Sequence, residues 1–568
     1  MKKNRLSLLL LLALLAQSSF AQAPKWVEKA KRAVFSVITY DRDDKMLATG
    51  NGFFIDETGT ALSDYTLFKG AQRAVVITAE GTQMPVSLIL GAGELYDVVK
   101  FKVAITEKKV PALVVARTPQ AAGATVYLLP YSTQKDRTCT SGTIRQADKM
   151  EASYTYYTLG MTLKEKMVSC PVMNAEGEVL GLSQRASGKD TTTICYAVAA
   201  DYAADRQITA LSFNDASLRN IGIEKALPDA QDQALVYLYM ASSAYRPQRY
   251  AALLERFIAK FPRSADGYLR RAAFAFDRSH TSSSLQQVAA DLDQALAVAD
   301  KKDEVYYQRA KLIYNYQLSR PDTLFADWTY DRALAEARQA TAAADLPVYR
   351  QLEGDILFAQ QDYAAAYACY EQLMHTNLAS PALLFSMAKT KELMQAPHEE
   401  VLALMDSCIA KCNKPILPAD APYLLERAQM RMNAGQPRPA LLDYDAYYQA
   451  VGGKVNDVFY YYREQAALAA KHFQRALDDL SEAIRLNPQE TAYRSELAVV
   501  NIRVGRNGEA IHILQEALAI DPQFAEAYRL MGIAQLQLKQ KQQACDSFAK
   551  AKQLGDAHVD ELIEKNCR

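Results

Sequence analysis

The hydrophobic and polar positions change rhythm once along the chain. From Ala33 to Ala200 the apolar residues come in short β-branched or aromatic runs, such as Ala33-Val34-Phe35-Ser36-Val37-Ile38-Thr39-Tyr40, Gly52-Phe53-Phe54-Ile55-Asp56 and Ala74-Val75-Val76-Ile77. Turn signals such as Glu57-Thr58-Gly59 and Glu176-Gly177 separate them, and this pattern predicts an all-β segment over residues 24–211. Residues 212–232 form a variable stretch, expected to be a linker. From residue 233 onward nearly everything reads as Ala-, Leu- and Tyr-rich amphipathic helix punctuated by Pro or Asp.

The helical part contains an internal repeat. Asp457–Glu490, Thr491–Phe524 and Ala525–His558 are consecutive blocks of 34 residues, with Ala476, Ala510 and Ala544 in one register and Ala483, Ala517 and Ala551 in another. Leu480, Leu514 and Phe548 are the bulky partners, Ala498 and Gly532 mark a close helix approach, and Pro488 and Pro522 end the second helix. Two short helices cannot bury their apolar faces alone, so small residues let them cross tightly while neighbouring pairs cover the rest. These blocks resemble tetratricopeptide repeats. Pro347–Ser380 is another good copy, with Gly354, Ala365, Tyr370 and Leu373 in order, and looser blocks with insertions at Ser279–Ser284 and Gln317–Ala326 complete residues 233–558. The expectation is a solenoid of about nine helix pairs, closed by a capping segment at residues 559–568. The resemblance implies a groove that binds protein or peptide.

The amino terminus carries a different message. Met1-Lys2-Lys3-Asn4-Arg5 is cationic, Leu6–Ala16 is an almost pure Leu/Ala run, and Ala21-Gln22-Ala23 has the A-x-A spacing of a cleavage site. Residues 1–23 therefore read as a secretory signal, and the mature chain as a periplasmic or extracellular protein without a membrane span, since a spanning helix needs about 20 apolar residues. Lys+Arg and Asp+Glu are equal at 65 each in a chain of 568 residues, which removes the broad electrostatic attraction that nucleic-acid binders rely on. Eight cysteines (Cys139, Cys170, Cys195, Cys369, Cys408, Cys412, Cys545 and Cys567) are too widely spaced to reveal a pairing. Cys408 and Cys412 lie four apart on a predicted helix with no His at ligand spacing, so no metal and no cofactor are expected.

One line of the β-rich part carries a second resemblance. Gly50-Asn51-Gly52-Phe53-Phe54-Ile55-Asp56-Glu57-Thr58-Gly59-Thr60-Ala61-Leu62-Ser63 is similar to the opening hairpin of trypsin-like serine peptidases of the exported heat-shock type. Tyr96-Asp97-Val98-Val99-Lys100-Phe101, Thr140-Ser141-Gly142-Thr143-Ile144, Pro171–Leu182 and Tyr196-Ala197-Val198 are similar to later landmarks of that family, in order. The resemblance covers about residues 27–205 and implies a double β-barrel. The whole chain is thus expected to be multidomain, an all-β trypsin-like double barrel followed by an all-α repeat array.

Carried across residue by residue, the family's catalytic His falls on Thr66, its Asp on Asp97 and its Ser on Val168. All six histidines, His280, His375, His398, His472, His512 and His558, lie in the helical region. A serine hydroxyl becomes a useful nucleophile only when a base takes its proton and later hands it to the leaving amine. With Val168 at the nucleophile position and no imidazole in the β-rich part, the triad positions are degenerate and no catalytic residue is assigned. Met167, Val168, Ser169 and Cys170 replace the glycines that let backbone N–H groups approach an oxyanion. A Ser169 or Cys170 nucleophile with Lys164 or Lys166 as base is chemically admissible; the simpler expectation is that Cys170 is a buried apolar residue and Asp97 a turn or capping carboxylate. The sequence reads best as an exported interaction protein. The competing enzyme reading is a serine-type endopeptidase whose repeats present substrate.

Overall fold

A computed structural model of the protein describes residues 24–567 except 134–138, 152, 165–166, 186–192 and 320–324. The expected signal segment 1–23 and Lys166 lie outside the described residues. By density of contacts the chain divides into two compact units, Met1–Asp277 and Arg278–Arg568.

The first unit is built on two closed antiparallel barrels of six strands each. One contains β1 (Val34–Tyr40), β2 (Met46–Phe54), β3 (Thr60–Ser63), β4 (Arg73–Ile77), β5 (Gln83–Gly93) and β6 (Val98–Val103). The other contains β7 (Thr125–Leu128), β8 (Thr140–Met150), β9 (Tyr154–Gly160), β10 (Pro171–Met173), β11 (Val179–Gln184) and β12 (Cys195–Ala199). Around the barrels the strands run 1-2-3-6-5-4 and 7-8-9-12-11-10, the same order twice. Alternation sets which side chains point inward: Phe35, Val37, Phe54, Val76, Ile89 and Phe101 fill the first barrel, and Val126, Leu128, Leu159, Val172 and Ala197 the second. A third cluster joins the barrels, with Val34, Phe53, Leu62 and Val98 from one meeting Met173, Val179, Leu182 and Val198 from the other. Closure leaves neither barrel a free edge strand among the described residues.

Residues 212–232, expected as a linker, pack along the first barrel. Ile89 N–H donates to Glu224 O, Gly222 N–H to Ala71 O and Gly70 N–H to Asn220 O, while Ile221, Ile223 and Leu227 are buried. Leu218, Ile221, Ile223 and Leu227, four buried apolar residues spaced through a polar stretch, suffice to hold it down once a barrel surface is present, a pattern too short to show any periodicity. The first two long helices, α1 (Gln231–Ala244) and α2 (Pro247–Lys260), share the first barrel's apolar cluster through Tyr237, Leu238, Leu254 and Phe257. Helix α3 (Ala265–Phe276) ends this unit.

The second unit continues with α4 (Ser282–Val298), α5 (Asp303–Leu318), α6 (Tyr330–Ala343), α7 (Pro347–Ala359), α8 (Tyr363–Leu373), α9 (Pro381–Leu393) and α10 (His398–Lys411). It then runs through α11 (Pro422–Asn433), α12 (Pro437–Ala450), α13 (Asp457–Ala469), α14 (Phe473–Leu486), α15 (Thr491–Arg503), α16 (Asn507–Ile520), α17 (Ala525–Gln537) and α18 (Lys541–Gln553) to a short α19 (Asp560–Asn566). Among the described residues, α5–α18 pair in succession into seven helix pairs of the second unit, and α1 pairs with α2 in the first, where the repeat reading expected about nine pairs in all. The alanines in register, Ala476, Ala510, Ala544, Ala483, Ala517 and Ala551, are all fully buried, as are Leu480, Leu514 and Phe548. Gly532 lies against Phe548 and Gly354 against Tyr370, so the absent side chains are what allow each helix pair to approach. Cys545 and Cys567 form a disulfide that ties α19 to α18, a pairing the sequence left open.

Candidate functional site

Sequence positions far apart in the first unit converge on one cavity of about 490 Å³. The helical turn Tyr65–Phe68 after β3 brings Asp64 and Thr66, the turn before β6 brings Tyr96 and Asp97, β9 brings Tyr156, and the loop before β10 brings Val168. Gln184 and Arg185 complete the wall from the end of β11. Thr66, Asp97 and Val168, the three positions carried over from the peptidase resemblance, therefore share one site.

The contacts inside the cavity differ from those of a triad. Asp97 Oδ1 accepts a hydrogen bond from the Thr66 backbone N–H at 2.7 Å. Asp97 does so from a left-handed backbone, with φ 51°. Thr66 has no ring to be oriented, and the carboxylate serves the helical turn instead. Asp64 occupies the N-cap position of that same turn, yet its side chain makes no capping bond. Its carboxyl is buried and beside Asp97, and burial first, then the charge of Asp97, hold it well above the usual carboxylate range.

The loop that would carry a nucleophile is tied down by polar bonds. Ser183 Oγ donates to Met167 O at 2.7 Å and accepts from Cys170 N–H at 3.0 Å; Ser169 N–H donates to Ser183 O at 2.9 Å. Met167 N–H donates to Lys164 O, and Asn51 Nδ2 donates to Val168 O at 2.8 Å from the other barrel. The N–H groups of Met167, Ser169 and Cys170 are thus consumed by the protein itself and not directed at a ligand oxygen. Ser169 is 1% exposed, has φ 61°, and its hydroxyl has no hydrogen-bond partner among the described residues. Lys164 is exposed and makes no bond to it. Cys170 is fully buried and its thiol is pushed up strongly by burial, which suppresses the thiolate.

Asp64, Tyr96, Tyr156 and Gln184 were not singled out in the sequence. Tyr156 OH donates to Gln184 Oε1 at 2.9 Å and Gln184 Nε2 to Tyr96 O at 2.7 Å, so β9, β11 and the turn before β6 are linked across the site. The only sequence signal for Asp64 was its place in Ser63-Asp64-Tyr65-Thr66, a helix-start pattern.

A larger cavity of about 890 Å³ lies in the second unit. Tyr444, Tyr447, Phe459 and Tyr462 line it together with Glu426 and Lys454, on α11, α12, α13 and the loop between the last two. Of the tyrosine cluster noted in the sequence, Tyr460 is buried, Tyr461 packs on Tyr493 at 5.4 Å, and Tyr462 alone is largely exposed, at 45%. Among the described residues no group of three His, Cys, Asp or Glu is placed to hold a metal, and Cys408 and Cys412 donate their thiols to the carbonyls of Pro381 and Cys408.

Comparison with known proteins agrees with this geometry. A family model described as a trypsin-like peptidase domain matches residues 50–182, and one described as a tetratricopeptide repeat matches residues 467–532. The small glutamine-rich tetratricopeptide repeat-containing protein 2 of Mycosarcoma maydis is 29% identical over 99 residues, 17% of this chain and 28% of that protein. The first unit is therefore similar to trypsin-like peptidase domains and the second to tetratricopeptide repeats. The chain spans little more than a quarter of the curated relative it matches. No described helix is long and apolar enough to cross a membrane.

Proposed function

We propose that this chain is an exported, non-catalytic scaffold in which a trypsin-like domain lacking its catalytic His and Ser accompanies a repeat array that binds protein or peptide. The observation that carries the reading is the cavity in which Thr66, Asp97 and Val168 meet: the acid is engaged by a backbone N–H, and Thr66 and Val168 stand where the resemblance places the base and the nucleophile. Peptide hydrolysis needs a group that both accepts and returns a proton near neutral pH, and threonine and valine can do neither. The aromatic cavity at Tyr444, Tyr447, Phe459 and Tyr462 supports binding, because rigid amphipathic rings contribute contact area at low entropic cost. The cationic start and Leu/Ala run of residues 1–16 support export. So does the Cys545–Cys567 bond, which persists in an oxidising compartment.

Two measurements on the full mature chain test this. A fluorophosphonate probe and casein should yield no labelling and no cleavage; labelling abolished by Ser169→Ala would establish the peptidase reading instead. Capture from an envelope extract should recover a reproducible protein partner that is lost with Tyr462→Ala. Equal recovery with that variant would remove the aromatic cavity as the binding surface.

A further inference from the structure

Where residues 212–232 leave the first barrel for α1 and α2, they help to wall a further cavity of the first unit, about 600 Å³ in volume. Three cations border it, Arg219 and Lys225 from that segment and Arg249 from α2, and its walls include no carboxylate. Lys225 is 8% exposed and its Nζ donates to Ile221 O; the other two N–H bonds of the ammonium have no acceptor among the described residues. Glu224, just outside the walls, pairs with Arg256 at 2.9 Å and reaches Arg249 at 3.8 Å. Burial, then the charge of Arg249, lowers the Lys225 ammonium to about 8, with Glu224 opposing only in part. The cavity therefore presents an excess of positive charge to whatever enters it. Lys225 is also fixed in place. Its carbonyl accepts from Arg256 Nη2 at 2.7 Å, and the flanking Glu224 O and Ala226 N–H both bond to Ile89 of β5.

Phe213, Tyr237 and Tyr245 add an aromatic wall to the same space. The Phe213 ring lies edge-on to Tyr237 at 5.3 Å and tilted against Tyr245 at 5.5 Å, and the two tyrosine hydroxyls meet at 3.3 Å. The Arg249 guanidinium lies over the Tyr245 ring at 4.0 Å, so cation and ring are positioned together. A free phosphate would satisfy the cations and leave the rings in water. A purely apolar ligand would cover the rings and leave a buried ammonium uncompensated. A carboxylate on an aromatic stem answers both demands, and the volume lies within the range of small-ligand sites.

We infer that the cavity bordered by Arg219, Lys225 and Arg249 with Phe213, Tyr237 and Tyr245 is a binding site for a carboxylate carried on an aromatic stem. The site shares no residue with the repeat cavity, and it stands or falls independently of partner capture by the repeats.

Calorimetry on the full mature chain tests the site. The probe 3-phenylpropionate should bind, and neutral 3-phenylpropionamide and acetate should each bind at least about tenfold more weakly. Lys225→Met, which keeps an apolar stem, should weaken 3-phenylpropionate at least about tenfold. Arg249→Gln, a change at an exposed residue, should weaken it by about tenfold as well and carries the test if the lysine variant does not fold. An acetyl-blocked tripeptide ending in phenylalanine separates the two sources of such a group: tighter binding than 3-phenylpropionate supports a polypeptide chain end, and equal or weaker binding supports a free acid. No binding of 3-phenylpropionate, equal binding of its amide, tighter binding of inorganic phosphate, or full affinity in both variants would overturn the site.

Discussion

Asp97 Oδ1 receives the backbone N–H of Thr66 at 2.7 Å, so the residue at the acid position of the peptidase resemblance caps the turn bearing the residue at the histidine position. The acid thus has a structural task that needs no imidazole. The turn Tyr65–Phe68 carries Leu67 and Phe68 into the first barrel, and the Phe68 ring packs tilted against Phe101 with centroids 4.9 Å apart, so holding the turn holds part of the core.

Removing that carboxylate exposes its role. Asp97→Ala should destabilise the protein by about 1 kcal/mol, the usual value of a lost helix cap, whereas Asp97→Asn should retain most of the stability. Urea unfolding of the three proteins checks this, and equal loss in both variants would assign the effect to charge instead of capping.

Helix approach in the repeats gives a paired prediction. A Cβ at Gly532 would meet the Phe548 ring at 2.5–3.0 Å, while one at Gly508 would meet nothing within 4 Å. Gly532→Ala should cost about 1–3 kcal/mol through overpacking. Gly508→Ala, inside α16, should be neutral or stabilising by up to about 1 kcal/mol through helix propensity. Thermal unfolding of the two variants reads the contrast, and matching shifts would contradict the packing seen here.

Two ion pairs recur in neighbouring repeats. Arg427 holds Asp443 in a fork (3.1 and 2.6 Å), and Arg463 holds Asp479 in a second one (3.0 and 2.5 Å). Each pair joins residues 16 apart, the first helix of a repeat to the second. Asp479 side chain is 3% exposed and that of Arg463 11%. Asp479→Ala should cost about 3–5 kcal/mol because it leaves the buried Arg463 guanidinium only its longer contact to Asp445 at 3.5 Å, and Arg463→Met with Asp479→Leu should recover most of the loss. A double-mutant cycle on denaturant midpoints measures the coupling.

Stability should also depend on pH through Glu464 on α13. It is fully buried, both carboxyl oxygens lack a hydrogen-bond partner, and burial, then the charge of Glu496, pushes it up from 4.5 to about 8. Between those values the folded chain holds a proton that the unfolded chain has released. Stability from this group is therefore present below about pH 4.5 and is lost as pH rises through about 8, at up to about 1.4 kcal/mol per pH unit. Glu464→Gln should abolish this slope, so its unfolding temperature should exceed the wild-type value by a margin that grows from pH 5 to pH 8.5. A margin independent of pH would show that Glu464 is not the titrating group.

Local pattern carried much of the architecture. Residues such as Ala476, Ala510 and Ala544 recur because each repeat solves the same packing problem, and period alone reveals the helix pairs. Strand runs like Val34–Tyr40 were equally legible, since a barrel wall buries alternate residues. The Cys545–Cys567 bond was not legible, because spacing says nothing of which thiols meet. Nor was the seating of residues 212–232, where Ile221, Ile223 and Leu227 lack a helical or strand period.

By itself the sequence determined that two architectures follow one another, that no imidazole belongs to the β-rich part, and that residue 168 is a valine. These are statements of residue identity and short-range order, and covalent sequence contains them fully. Tertiary structure alone decided that Thr66, Asp97 and Val168 meet at one cavity, that Asp64 joins them, and that Ser169 is buried. Those facts depend on barrel closure, which brings side chains more than a hundred residues apart within reach and chooses which of them water can touch.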